Sequence, residues 1–543
     1  MQAMKIALYG MPCAGKTTLL HALDGRIRIV NGSSWLNEAT KGSFSLLPEK
    51  EKAEWRIRYT EYLAGIADEH MISDGHYAFE DTVVFTDADG DIYDVFLYLY
   101  CEPEELLSRM KVSEKNRKYA SLSVDVISEW QNRELEQLRF QCHNRSKDFY
   151  VIPSGTTTKE DFIDFMDAIL SGFSSYRLAV DLADKIRSWF PTPCELSIVD
   201  GDHTFINEDS FRLCSKGFRT TVFDGNFYTG YQSYRFHKET ASLSFQLENL
   251  QNCTLNKQVW SRIGHEQYVV LSAGITSLWE ILADQMNIPH LLASPLISAD
   301  TKYYAAKLLR KLGYKIKAYG DSKNDLYLLK EADEGYLCLG KRISRSLADA
   351  DVSGLYLLCD TTPFILSDES DEAVMQEIAV CKSSSGIHGS RLAQAHYDLG
   401  FQLGCHMKRV LPSKNIPIVV LERGGRFFGD GLYIGFGGRL YPYDPKKDAL
   451  PEVGSNLILI VDSVINTGAS LLKLIEKLRT KNPSVQVCLA TNVIQKDALP
   501  KFKDHFLFTV RISDNKFVGK RQKRQTGNAG PDTADRLFNL LDE

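Results

Sequence analysis

Paired cysteine is the first thing this chain lacks. Its 543 residues hold 11 cysteines, an odd number, and no two stand in a C-x-x-C pair. That fits thiols kept reduced in the cytosol better than a disulfide framework or a zinc site. A long hydrophobic run is also missing, and nothing approaches the roughly 20 apolar residues that a membrane-spanning helix needs. The apolar run at residues 4–9 is too short for a secretory leader and passes directly into a glycine loop. The chain is therefore expected to be soluble, cytoplasmic and without a membrane partner. Excess positive charge is absent too: 64 Lys and Arg face 70 Asp and Glu, a formal net charge of -6. A dedicated nucleic-acid binder wants clustered cations, so that class is disfavoured. There is neither an internal repeat nor a long low-complexity tract.

What remains is an ordinary globular composition, 44% hydrophobic and 25% charged. Its length exceeds what one hydrophobic core usually organises, so three domains are expected. Short apolar runs such as Val95-Phe96-Leu97-Tyr98-Leu99-Tyr100 and Leu457-Ile458-Leu459-Ile460-Val461 alternate with helical stretches. That alternation predicts mostly parallel sheets in α/β layers. Three times an apolar run ends in a polar or glycine-rich turn bearing Asp or Lys, and open α/β sheets place ligands at the carboxyl ends of strands. Pro191-Thr192-Pro193, after a helical stretch from Leu178 to Phe190, reads as one linker. Residues 367–372 followed by Lys382-Ser383-Ser384-Ser385-Gly386 read as a second. The expected domains are 1–175, 190–370 with an insert at about 205–268, and 375–543.

The first turn, Gly10-Met11-Pro12-Cys13-Ala14-Gly15-Lys16-Thr17, has the form G-x-x-x-x-G-K-[ST] between an apolar strand and a helix. Gly10 and Gly15 let the backbone wrap phosphate oxygens, Lys16 would neutralise the β- and γ-phosphates, and Thr17 would hold Mg²⁺. Over roughly residues 4–170 the chain resembles the small P-loop kinases, which implies ATP as cofactor. Asp74-Gly75-His76 resembles that family's acidic substrate-side strand end, and residues 102–109 its passage into the arginine-bearing lid. Arg109, Arg117 and Arg133 are then candidates to clamp phosphate, or solvated helix residues.

The second turn follows the strand Leu196-Ser197-Ile198-Val199 and reads Asp200-Gly201-Asp202-His203-Thr204. Two aspartates two residues apart past a strand end suit transfer through an aspartyl-phosphate. Ser272, Lys302 and the run Gly320-Asp321-Ser322-Lys323-Asn324-Asp325 follow in order. The series resembles the haloacid-dehalogenase phosphatases across about residues 194–350. By that resemblance Asp200 is the nucleophile, Asp202 the acid/base, and Ser272 and Lys302 hold the phosphoryl group. Asp200, Asp202, Asp321 and Asp325 would form the Mg²⁺ site, and Lys307 competes with Lys302. The insert carries Phe223, Phe227, Tyr228, Tyr231 and Tyr234, either cap core or a surface for a base.

The third turn is Asp462-Ser463-Val464-Ile465-Asn466-Thr467-Gly468-Ala469-Ser470. A strand-end carboxylate can hold ribose hydroxyls, and the Thr-Gly-x-Ser turn offers donors to a 5-phosphate. It resembles the loop that binds phosphoribosyl diphosphate in the type I phosphoribosyltransferases, in particular the uracil branch, over about residues 385–543. Asp462, Thr467, Gly468 and Ser470 would bind that cofactor. Arg391 opens a helix as an arginine does there, and Arg423 in Glu422-Arg423-Gly424-Gly425 matches the diphosphate-side turn. Gly530-Pro531-Asp532-Thr533-Ala534-Asp535-Arg536 resembles the terminal base-site signature, which gives Asp532 a ligand role. Lys520-Arg521-Gln522-Lys523-Arg524 and Asn528 depart from the family, and the basic run is a solvated loop or a nucleic-acid patch.

Together these readings point to a multifunctional nucleotide-metabolism enzyme acting on small-molecule nucleotides and bases, with a homo-oligomer as one arrangement. The alternatives are a nucleic-acid end-repair kinase/phosphatase and a nucleotide-sensing regulator with a non-catalytic module.

Overall fold

The computed structural model describes residues 3–541, except 67–68, 81, 115, 341–342, 349, 359–361, 370–371, 452–455 and 518–522. It is an α/β fold of several domains built on mostly parallel sheets, as the alternation of apolar runs and helices predicts. Among the described residues no helix is long and apolar enough to cross a membrane. The chain divides into two compact units. One comprises Met1–Cys194, Asp209–Cys253 and Val269–Lys315, and the other Glu195–Glu208, Thr254–Tyr268 and Ile316–Glu543.

In the first unit, five parallel strands run in the order Arg28–Asn31, Met71–Asp74, Lys5–Tyr9, Val95–Tyr100, Asp148–Pro153. The central strands are continuous apolar runs because helices bury both of their faces. Ile6, Leu8, Leu97 and Leu99 point into one core layer with Trp130 and Phe162, and Ala7, Tyr9, Phe96 and Tyr98 into the other with Leu138. Ser123 caps the long helix Val124–Arg145, and a Thr158/Asp161 capping box starts Lys159–Leu170.

The outer strand Asp148–Pro153 exposes one edge, and the helix Gly230–Thr240 deals with it. Thr229 Oγ1 accepts from the Val151 N–H at 3.1 Å, and Gln232 Nε2 donates to the Val151 carbonyl at 2.9 Å. The Thr229/Gln232 capping box that begins the helix thus also satisfies an open strand edge. Tyr231 sits edge-on to Phe165 at 5.0 Å, and Tyr234 packs on the same ring. These two insert aromatics pack on the hydrophobic core of the five-stranded sheet, Tyr231 buried and Tyr234 half-buried. Phe227 packs edge-on to Tyr100, and Phe223 stacks on Tyr228. The predicted first linker is preceded by a regular helix, Ser175–Trp189, whose Ala179 packs with Tyr304 and Ala305 of the helix Ala299–Lys311.

One buried ion pair joins distant parts of this unit. Arg139 donates through Nε and Nη2 to the two oxygens of Asp300, each at 2.8 Å, and His143 Nε2 lies 2.7 Å from Asp300 Oδ1. Asp300 is 1% exposed. Burial alone would raise its carboxyl, but the guanidinium and the imidazole hold it below the usual aspartate value.

In the second unit, the parallel strands Glu195–Val199, Lys315–Gly320, Glu334–Cys338 and Tyr356–Leu358 lie side by side. A separate all-parallel sheet has the order Phe364–Ile365, Phe506–Ser513, Gln486–Gln495, Leu457–Ile465, Pro417–Leu421, Arg439–Tyr443. Beside it the helices Ser390–Met407 and Arg426–Phe436 meet through glycines. A Cβ on Gly431 would stand 2.0 Å from the Tyr397 carbonyl oxygen, and one on Gly400 2.1 Å from that of Phe428. Only backbone fits in that crossing.

Candidate functional sites at three sets of strand ends

At the end of the strand Lys5–Tyr9 the chain turns through residues 10–15 into the helix Lys16–Leu20. Gly15 has φ +103°, a conformation that L side chains rarely adopt. Gly10 answers a different demand, since a Cβ there would lie 2.7 Å from the Leu99 carbonyl oxygen. The Lys16 ammonium donates to the carbonyls of Gly10 and Met11 at 2.6 and 3.1 Å, and stands 3.5 Å from His76 Nδ1. It is thus held over the loop, and His76 arrives from the strand-end turn that the sequence singled out. Thr17 is exposed on the first helical turn.

The three arginines separate. Arg109 Nη1 donates to the loop carbonyls of Cys13 and Ala14 at 3.2 and 3.0 Å. Arg133 donates to the Glu80 carbonyl at 2.7 Å, and Arg117 is exposed. Asp74 accepts from Asn31 Nδ2 at 3.1 Å and from the Gly32 N–H at 3.2 Å.

Sequence reasoning missed Glu134. It is 1% exposed and accepts from Tyr98 Oη, the Ala78 N–H and Trp130 Nε1 at 2.7, 3.0 and 3.1 Å. Burial raises its carboxyl, while these donors and the charge of Lys16 pull it back. Nothing in a lone helical glutamate signals such a position.

At the second set of strand ends, Asp200, Asp321 and Asp325 each bring a carboxylate oxygen within 4.8 Å of the others. The Asp200 N–H donates to the Tyr319 carbonyl at 2.9 Å, which ties the ends of two parallel strands together. Asp325 folds back against its own strand because residue 320 is glycine: a Cβ there would stand 2.3 Å from that of Asp325. Ser322 Oγ donates to Asp325 Oδ2 at 2.9 Å, and Asp325 is wholly buried. Hard carboxylate oxygens in this number fit Mg²⁺. Cys338 lies near the same three carboxylates, which together with burial push its thiol well above the usual range. It stays protonated and adds no thiolate to the donor set.

Asp202, expected among the metal ligands, stands outside this group. The chain leaves the strand at Gly201 in a tight turn, with the Phe205 N–H bonding the Asp200 carbonyl, and Asp202 is carried into that turn. His203 in the turn takes positive φ, +58°. In the other unit, Ser272 ends the strand Tyr268–Ser272 and accepts from the Gly274 N–H at 3.0 Å, while Lys302 is wholly buried in the first turn of the helix Ala299–Lys311. Lys307 Nζ donates to the His143 carbonyl at 2.6 Å, which commits that lysine to a structural contact.

At the third set, the strand Leu457–Ile465 carries Asp462, and the following turn enters the helix Ala469–Lys481. Gly468 takes φ +74°, and a Cβ would meet the Phe502 ring at 2.6 Å. Thr467 Oγ1 accepts from the Ala469 N–H at 3.4 Å, and Lys501 Nζ, not foreseen, donates to the Thr467 carbonyl at 2.7 Å. Ser470 is exposed on the first turn. A Cβ on Gly424 would lie 3.8 Å from Asp462 Oδ1 and 4.0 Å from Ala534 Cβ, so the strand end, the glycine turn and the C-terminal segment converge. Burial pushes the Asp462 carboxyl up to about 7, and the charge of Asp532 adds to the rise.

Asp532 itself has a structural task that the sequence reading did not assign. Its Oδ1 accepts from the N–H groups of Ala534 and Asp535 at 2.8 and 3.2 Å, capping the helix Thr533–Leu537. Arg423 pairs with Asp535 at 3.6 Å, and Arg391 is engaged by both oxygens of Glu377. Of the basic run, residues 520–522 lie outside the described residues, while Lys523, Arg524 and Asn528 are exposed.

Comparison with known proteins adds the following. Residues 6–139 match the family model of an AAA domain. No curated protein matches the chain. Among solved structures, shikimate kinase from Bacteroides thetaiotaomicron is 17% identical over 31% of this chain and 98% of its own, with a TM-score of 0.24. A Helicobacter pylori xanthine-guanine-hypoxanthine phosphoribosyltransferase is 15% identical over 23% of this chain and 84% of its own, with a TM-score of 0.19. A HAD family hydrolase from Salmonella enterica serovar Typhi is 15% identical over 30% of this chain and 71% of its own, with a TM-score of 0.17. At such identities and scores these are likenesses without functional weight. The phosphate loop, with Lys16 held over it, lies inside the range that matches the AAA-domain model.

Proposed function

We propose that this chain is a multifunctional nucleotide-metabolism enzyme of three modules, near residues 1–175, 190–370 and 375–543: an ATP-dependent kinase, a Mg²⁺-dependent phosphatase and a phosphoribosyltransferase. The observation that carries this reading is recurrence. Three separate sets of parallel strand ends bear residues suited to phosphate: Lys16 on its loop, the carboxylates around Asp200, and Asp462 before its glycine turn. Parallel α/β sheets bind ligands at such ends.

In the kinase-like module Lys16 would carry the charge of the β- and γ-phosphates, with Arg109 beside the loop for the transferring group. Thr17 would hold Mg²⁺. In the phosphatase module Asp200 attacks phosphorus, and the ester oxygen leaves with a proton from Asp202. Asp202 then takes a proton from water, which cleaves the acyl phosphate and releases inorganic phosphate. Asp200, Asp321 and Asp325 would hold Mg²⁺, which supplies charge neutralisation at phosphorus. Ser272 and Lys302 would hold phosphoryl oxygens. In the transferase module Asp462 would hold ribose hydroxyls, Thr467, Gly468 and Ser470 the 5-phosphate, and Arg423 the diphosphate side.

The direct test is mass spectrometry of products after incubating the full chain with ATP, Mg²⁺, phosphoribosyl diphosphate and a panel of bases and nucleotides. The expected products are a base ribonucleotide with diphosphate, and separately a dephosphorylated and a phosphorylated nucleotide. Diphosphate-free reaction mixtures across all bases would refute the transferase part.

A further inference from the structure

A cleft beside the carboxyl ends of the strands Gln486–Gln495 and Phe506–Ser513 carries polar atoms left without partners. His396, Asn466, Asn492, Gln495, Arg511 and Arg536 are among its lining residues, and among the described residues no Asp or Glu lines it. Within the described residues, Asn492 Oδ1, Gln495 Oε1 and Arg511 Nε are buried and make no hydrogen bond. A buried polar atom without a partner is costly, and three around one cleft is a concentration that packing does not explain.

The orientation of these groups can be worked out from a chain of hydrogen bonds. Ser463 Oγ donates to the Gly424 carbonyl at 2.6 Å, so it must accept from His396 Nδ1, 3.1 Å away. His396 is fully buried between two arginines and neutral, its imidazole pushed down to about 3 by burial first and by the charges of Arg536 and Arg511 second. With the proton on Nδ1, the bare Nε2 accepts from Asn492 Nδ2 at 3.3 Å. That fixes the amide of Asn492 and leaves its oxygen as an acceptor in want of a donor. Gln495 likewise spends its Nε2 on Asn466 Oδ1, at 3.5 Å, and keeps its oxygen. Arg511 presents the opposite need, a donor in want of an acceptor.

Charge narrows the choice further. Arg511 and Arg536 repel each other, and burial weakens the hold of both on their protons. Arg536 spends its nitrogens on the carbonyls of Cys381, Lys382 and Ile387, neutral partners that leave its charge uncompensated. Two guanidiniums without a carboxylate among the lining residues favour an anion.

We propose that this cleft binds a small carboxylic acid that also bears N–H or O–H donors, its carboxylate facing Arg511 and its donors facing Asn492 and Gln495. Resting on the transferase reading, this makes the acceptor of the ribosyl group an acidic base rather than uracil.

The test is calorimetry on the full chain with uracil and with its 6-carboxylate, orotate, each with Mg²⁺, and with phosphoribosyl diphosphate measured separately. Orotate is expected to bind at least 10-fold more tightly than uracil. Gln495→Glu, which sets a like charge on a part-buried position, should remove that preference. Arg511→Gln should do the same, with circular dichroism to confirm folding. Equal binding of the two pyrimidines, no binding of either, or acetate binding as tightly as orotate would each overturn the proposal. Loss of phosphoribosyl diphosphate binding with orotate binding intact would sink the transferase reading and leave the acid site standing.

Discussion

Two single side chains make the sharpest claims. Lys16 lies over its loop within reach of three polar groups, so Lys16→Ala is expected to weaken ATP binding about 10- to 100-fold, the size of one or two charge-assisted hydrogen bonds. Phosphatase turnover should stay above half of wild type, and filter binding with labelled ATP beside an ester-hydrolysis assay measures both. Asp462 makes a claim about pH. Burial raises its carboxyl in the folded chain from the usual aspartate range to about 7, so the folded state holds a proton that the unfolded state has released over that interval. This residue's contribution is therefore fully present below about pH 4 and lost as pH rises through 7. In Asp462→Asn the melting temperature should fall less between pH 5 and 8 than in wild type. An identical slope in the two proteins would mean that the aspartate is ordinary.

Among the helices and strands, the glycine crossing is where geometry and propensity disagree. Alanine favours a helix over glycine by about 1 kcal/mol. At Gly431, however, its Cβ would stand 2.0 Å from the Tyr397 carbonyl oxygen, and overpacking of this kind costs about 1–3 kcal/mol. Gly431→Ala should therefore be destabilised in urea titration, against the helix-propensity scale. The same contrast explains what could be read from the sequence. The turns at 10–17, 200–204 and 462–470 were legible because a tight turn after a strand demands its glycines and polar residues locally. Strand identity was legible from uninterrupted apolar runs. Illegible were features that need a partner from far along the chain: the Thr229/Gln232 edge cover and the buried Glu134 with its donors from Tyr98 and Ala78. The retreat of Asp202 from the carboxylate group lies between these cases, since it turns on how one short turn leaves its strand.

On the scale of the molecule, the buried Arg139–Asp300–His143 group governs how the first unit holds together. Removing one partner of such a pair leaves a buried charge uncompensated, at a cost of about 3–5 kcal/mol. Asp300→Ala should accordingly lower the unfolding free energy of the first unit by that order, as read by thermal denaturation followed through Trp fluorescence. Replacing Arg139 and Asp300 together by Met and Leu should recover most of the loss. If the single and double variants melted alike, the pair would have no energetic coupling.

The same group sets a timetable for synthesis. Arg139 and His143 leave the ribosome more than 150 residues ahead of Asp300, and the Val151 edge waits for Thr229 and Gln232. Until then the nascent phosphate-loop sheet lacks the Asp300 carboxylate and holds one raw strand edge, the kind of template that recruits other chains. A stalled or truncated product ending near residue 200 would be a substrate for chaperones and proteases, although its loop motif is complete. The nucleotide loop is written in the first twenty residues, but its sheet becomes a finished object only when the chain has reached its middle.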